Sequence, residues 1–330
     1  MAVTEDPWLT WPEDFPPGSR RPGSSPPGRD RWYMRRELHL LVGILVAIFT
    51  VYFAGQRATA GARATLDERL VQAGAGADAA LIGIESEQLS AVRAVAFTQG
   101  VATALADRNG PELNKLVTPL QANSTVPMID VVTPRGRVLL AVRSKGAPAP
   151  VASRAGLRAL GLSLRRAHET RGGRLSEVAI FRSGATLVTI SPILDGPRVA
   201  GAVLAMTPLA DVLGRLSQEV GADLSAYAAD GTPLATTTTF NPTPVAASTA
   251  RALLGGGAVE TRYVFEDHRE KLGRMIVDHA PNAVLGVSLE DDTNVTGRTV
   301  AIYVALGILC ILAIVATYWT RIWHLERTRR

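Results

Sequence analysis

The chain has 330 residues, 47% of them hydrophobic and 20% charged, with a formal net charge of +5. A mean hydropathy of +0.13 is high for a protein that water surrounds on every side. The surplus of positive charge flanks two apolar runs, which argues against nucleic acid as a partner. A single cysteine, Cys310, excludes an internal disulfide framework and a Cys-His metal cluster.

Residues 1–37 are rich in Pro, Gly, Ser and charge, and are expected to form a disordered cytoplasmic tail. Trp8, Trp11 and Phe15 stand there among Glu5, Asp6, Glu13 and Asp14, as stray aromatics in a solvated segment or as a short docking motif. The apolar runs occupy 38–55 and 298–319, and residues 38–55 and 300–319 hold no Asp, Glu, Lys or Arg. Each approaches the roughly 20 residues needed to cross about 30 Å of hydrocarbon. Six arginines (Arg20, Arg21, Arg29, Arg31, Arg35, Arg36) precede the first run, and Arg321, Arg327, Arg329 and Arg330 follow the second. The positive-inside rule then gives a two-pass protein of the plasma (inner) membrane, both termini cytoplasmic and residues 56–297 outside. Ala58-Thr59-Ala60 offers a signal-peptide cleavage site, but the 37 residues before the apolar run favour an uncleaved anchor.

Residues 56–99 read as a stalk helix. Leu66, Leu70, Ala73, Ala77, Leu81, Ile84, Val92 and Val95 recur at threes and fours, while Gly74, Gly76 and Gly83 weaken the pattern. The stripe suggests a parallel homodimer, because a monomer would expose it.

Residues 100–220 follow with helices at 101–107 and 111–122, then a hairpin, 128–132 and 137–142, around Pro134-Arg135-Gly136. A loop at 145–153, an amphipathic helix at 154–169 and a strand at 175–181 come next. A second hairpin, 187–194 and 199–206, turns at Asp195-Gly196-Pro197, and a helix at 208–220 carries Leu209, Val212, Leu213 and Leu216 on one face. Residues 221–297 repeat this layout more weakly. Strands at 222–228 and 233–237 flank Ala229-Asp230-Gly231, and a short helix covers 245–254. A long hairpin, 259–267 and 271–279, is expected to turn at Arg269-Glu270, before a last strand at 283–289. Each half offers about five strands with helices to one side, so an internal duplication is the simplest account.

The run Ile-Ser-Pro-Ile-Leu-Asp-Gly-Pro-Arg-Val-Ala-Gly-Ala-Val-Leu-Ala-Met-Thr-Pro-Leu-Ala-Asp-Val-Leu, residues 190–213, resembles the end of the membrane-distal half of a double Cache domain. That domain is the extracytoplasmic sensor of bacterial membrane receptors. The resemblance extends over residues 58–294 and rests on layout and this phrase. It implies an α+β class: tandem PAS-like (Cache) units, distal then proximal, on a long N-terminal stalk helix between two membrane anchors. It implies a sensor or receptor in signal transduction.

No catalytic signature is present: no Gly-x-Ser-x-Gly, no Walker loop, no His-Glu-x-x-His. No enzyme activity, cofactor or metal is expected. Asp267-His268 and Asp278-His279 imitate a metal pair, but the expected hairpin sets the histidines roughly 26 Å apart at about 3.3 Å per residue. Leu254-Gly255-Gly256-Gly257-Ala258 ends a helix and reads as a turn.

The distal half is the expected home of a small ligand. Arg143, Arg182 and Arg198 lie in strands or at their ends, and the guanidinium fork suits the carboxylate of an organic acid. Candidate contacts are Asp130, Arg143, Phe181, Arg182, Thr189 and Ser191; strand alternation lets only some of them share a face. The amino-acid-sensing branch of the resembled family carries a Tyr, Arg and Trp pattern, whereas the outer segment here has no Trp. Residues 320–330 are too few for an output domain, so the signal is expected to pass to a separate partner protein. The alternatives are a truncated or split receptor, and an envelope structural or interaction protein.

Overall fold

The computed structural model describes residues 30–144, 175–265, 268–278 and 280–291, most of 301–320, and positions 323 and 327. The chain divides into two units, one of residues Ala58–Arg298 and one of Met1–Arg57 with Thr299–Arg330.

Helix α1, Asp30–Ala96, enters both units. It begins inside the stretch expected to be disordered, because residues 30–37 continue the helical pattern of the apolar run without a break. Gly74, Gly76 and Gly83 do not interrupt it: the packing described below outweighs a propensity cost of about 1 kcal/mol each. Among the described residues one helix is long and apolar enough to cross a membrane, Leu41–Ala96, with a window of mean hydropathy 1.6 that nothing in the protein buries. Leu41, Leu45, Val46, Phe49 and Phe53 are each more than half exposed there. Val304–Ala313 is a shorter apolar helix among the described residues.

In the outer unit, α2 (Val101–Ala106) and α3 (Gly110–Ala122) follow α1. Asn109 caps α3 by accepting from the Glu112 backbone amide at 3.2 Å, and Pro111 takes the first turn. Five strands then form the distal sheet: β1 Met128–Val132, β2 Val138–Arg143, β3 Leu175–Phe181, β4 Gly184–Asp195 and β5 Arg198–Pro208. Gly196 meets the demand of the two-residue β4–β5 loop for a positive φ, here 57°. The loop at 145–153 lies outside the described residues, as does the expected helix at 154–169. Helix α4, Leu209–Val220, buries Leu209, Val212, Leu213 and Leu216, the four positions read from the sequence.

The proximal sheet comprises β6 Asp223–Tyr227, β7 Pro233–Thr236, β8 Glu260–Phe265, β9 His268–Val277 and β10 Ala280–Glu290, with α5 (Ala247–Leu254) between β7 and β8. The strand orders are β2-β1-β5-β4-β3 and β7-β6-β10-β9-β8. They are the same order displaced by five strands, as a duplication requires.

One face of each sheet packs on α1. Leu66, Leu70, Ala73, Ala77, Leu81 and Ile84 join Leu224, Met275, Val277, Leu285 and Val287 of the proximal sheet, together with α4. Val92 and Val95 join Ile129, Val131, Ile193 and Val203 of the distal sheet. This corrects the homodimer argument: the stripe is covered by the chain's own sheets, so Leu66 and Leu70 are core and carry no case for a second copy. The hydrophobic face found the nearer partner.

Candidate functional site

Each sheet has a stalk face, against α1, and a far face. In the distal sheet the far face gathers Met128, Val132, Ala179, Phe181, Val188, Ile190, Ala202, Leu204 and Met206, all buried. Asp130 lies between Met128 and Val132 and points the same way. Arg143, paired in register with Met128, binds it: Arg143 Nη1 donates to Asp130 Oδ1 and to the Val142 carbonyl at 3.0 Å. Burial pushes the Asp130 carboxyl above its usual range, against the pull of Arg143. The result is a largely buried ion pair at the margin of an apolar field.

The register divides the six residues singled out from the sequence. Asp130, Arg143 and Phe181 belong to the far face. Phe181 is on β3, four strand positions from β2, which sets it roughly 19 Å from Arg143 at about 4.8 Å per strand. Arg182 is exposed in the β3–β4 turn. Thr189 and Ser191 face α1 with Leu187 and Ile193, and Thr189 already donates to Gln88 Oε1 at 2.7 Å. Their alternation with Val188 and Ile190 takes them off the far face.

The corresponding far face of the proximal sheet is filled. Glu270, wholly buried, accepts from the Tyr227 hydroxyl at 2.7 Å and from Arg262 Nε at 2.7 Å. Arg262 also donates to the Tyr227 oxygen at 3.0 Å and to the carbonyls of Thr243 and Pro244 at 2.7 and 2.9 Å. It thereby fastens the loop before α5 across the sheet, over Val245, Ala250, Leu253, Leu272 and Val284. A Cβ at position 286 would lie 2.0 Å from Glu270 Oε1, so only glycine leaves the carboxylate its place. Burial first, then the facing Glu270, push the Tyr227 hydroxyl well above its usual range, and it stays a donor.

The sequence reading placed Arg269-Glu270 at a turn. The structure puts both residues inside β9 instead, with Phe265 opposite His268 and Arg262 opposite Glu270. The need to bury Glu270 against Arg262 fixes that register. His268 then packs edge-on against Phe240, ring centroids 5.0 Å apart, and His279 lies outside the described residues.

No known family matches the chain by sequence, and no curated protein does. Solved structures do. The extracellular domain of a protein described as a histidine kinase, vpHK1S-Z8, superposes on 75% of this chain and 96% of its own length, at 12% identity and a TM-score of 0.50. The periplasmic domain of Vibrio cholerae LuxQ matches 68% of this chain and all of its own, at 15% identity and a TM-score of 0.43. The ligand-binding domain of the Campylobacter jejuni chemoreceptor Tlp3 matches 75% and 97%, at 9% identity and a TM-score of 0.43. With the duplicated sheets on a common helix, the first of these likenesses shows a shared fold, two PAS-like α+β units in tandem.

Proposed function

We propose that this chain is a membrane-anchored sensor, not an enzyme, whose distal unit binds a small ligand on the far face of its sheet. The supporting observation is the Asp130–Arg143 pair beside an apolar field, in a sheet whose duplicate has the same face closed by its own side chains. A small organic acid suits it: Arg143 receives the carboxylate, Asp130 takes a hydroxyl or amine donor, and the apolar field takes the body. The Arg-rich flanks place both termini in the cytoplasm with two passes. Signalling runs through the helices to a separate partner protein. A homodimer would use the solvent side of α1, where Val71 and Ile82 are exposed.

The test is a thermal-shift screen of the full chain in detergent against small hydroxy, amino and dicarboxylic acids. A hit should raise the melting temperature of the wild type and leave Arg143→Ala unmoved. A hit that shifts Arg143→Ala equally would overturn the site.

A further inference from the structure

Gln88 is a buried amide in the middle of an otherwise apolar helix face, 1% exposed. Its Nε2 donates to Thr207 Oγ1 of β5 at 2.7 Å, and its Oε1 accepts from Thr189 Oγ1 of β4 at 2.7 Å. Thr189 is in turn 3.0 Å from Ser176 Oγ of β3. All four residues are buried, so one α1 side chain is tied to three neighbouring strands of the distal sheet.

The rest of the α1 contact lacks such direction. Its stripe is largely Leu, Ala, Val and Ile, and similar side chains recur at each turn. Sliding such a stripe by a turn trades like contacts for like. A buried amide is different, because moving it leaves three hydrogen-bonding groups without partners, about 1–3 kcal/mol each. Of the other polar links, Glu87 with Arg215 and Thr125 uses exposed side chains that can follow a displaced helix, while Asp67–Arg269 and the Asp278 amide on Glu85 tie α1 to the proximal sheet and leave the distal sheet free of them.

We infer that Gln88 is the pin that fixes the register of α1 on the distal sheet and carries displacements of that sheet to the helix. Strand alternation supplies the route. Thr189 stands between Val188 and Ile190, and Thr207 next to Met206; these three apolar neighbours belong to the far face. A change at the far face that shifts β4 against β5 therefore shifts both partners of Gln88. Gln88 is a positioning residue here. Its use in signalling rests on the sensor reading, whereas the pin itself needs no ligand and is tested without one.

The experiment uses the full chain in nanodiscs, with Cys310→Ser and spin labels at Gln72→Cys on α1 and Arg198→Cys at the start of β5. Pulsed dipolar spectroscopy reads their distance. The chain with Gln88 should give one narrow distribution. In a Ser176→Ala background, the triple variant Gln88→Leu/Thr189→Val/Thr207→Val removes every polar group of the set at once and leaves no orphan among them. It should melt near the wild type, yet broaden the distribution toward a second distance displaced by about one helical turn, 5.4 Å. Gln88→Met alone is read the same way if the triple variant does not fold. Ile190→Ala should move the distance when Gln88 is present and have no further effect beside Gln88→Met. A narrow, unmoved distribution in a folded variant overturns the pin. Equal shifts from Ile190→Ala in both backgrounds overturn the route.

Discussion

The distal and proximal sheets share a strand order and a helix but finish their far faces in opposite ways. The proximal face ends in a closed polar set: one carboxylate, one phenol and one guanidinium, each saturated by the others or by the loop carbonyls of Thr243 and Pro244. The distal face ends in a pair, Asp130 and Arg143, with side chains 10% and 22% exposed. A closed set is a structural lock, because each of its polar groups meets a partner inside the protein. On the reading proposed above, the Asp130–Arg143 pair is the open one, left to a partner from outside, and the duplication separates two tasks, holding the base of the module and meeting a ligand.

The largest expected effect breaks the lock. Glu270→Ala leaves Arg262 and Tyr227 buried without their acceptor and releases the loop before α5, and should cost about 3–5 kcal/mol in urea unfolding. Gly286→Ala forces the same carboxylate aside and should cost about 1–3 kcal/mol. A loss from Glu270→Ala below about 1 kcal/mol would remove the distinction between lock and open pair.

Smaller effects come from the open pair. Arg143→Ala should cost about 1–3 kcal/mol at neutral pH, since it leaves a buried carboxylate alone. Asp130 also sets a pH dependence. Its folded pKa is raised above the ordinary 3.8, so the folded chain holds this proton more tightly than the unfolded one. Its contribution to stability is therefore highest below 3.8 and falls as pH rises through the raised value. Asp130→Asn should flatten that decline in pH-dependent melting. A decline that persists unchanged in the variant would assign it elsewhere.

Much of this architecture was legible from hydrophobic period alone. The α1 stripe and the four leucine and valine positions of α4 are buried as their spacing requires, and β1 and β3 begin and end where alternation places them. What period does not carry is partner choice. The α1 stripe is equally consistent with a twin helix and with a sheet, and only the long-range fold decides. Gln88 was overlooked because one glutamine in a helical pattern is indistinguishable from a surface residue until Thr189 and Thr207, more than 100 positions away, are brought to it. Glu270 was assigned to a turn because it follows Arg269 and a charged pair commonly marks one. Its alternation with Leu272 on the far face was the available clue, and the register that uses it depends on Arg262. The candidate site shows the same limit: strand alternation allowed two faces for Thr189 and Asp130, and only the pairing register assigned them.

The smallest effect, and the sharpest control, concerns the rim of α1. Glu87 accepts from Arg215 of α4 at 2.9 and 3.2 Å and from the Thr125 hydroxyl at 2.9 Å. Slight burial opposes ionisation, but the hydrogen bonds from Arg215 and Thr125 outweigh it and hold the carboxyl below its ordinary 4.5. The sign is thus opposite to that of Asp130. Glu87 contributes stability above pH 4.5, and this is lost as pH falls through the depressed value. Both side chains of the pair are more than 40% exposed, which limits the contribution to below about 1 kcal/mol, less in high salt. Glu87→Gln should therefore leave stability at pH 7 nearly unchanged while reducing the loss on acidification. In the double variant Asp130→Asn/Glu87→Gln the two opposed slopes should vanish together, since the groups lie on different faces of the sheet and share no partner. A strongly non-additive result would mean that the far face and the α1 rim are coupled, and the open pair would then be part of the stalk contact rather than separate from it.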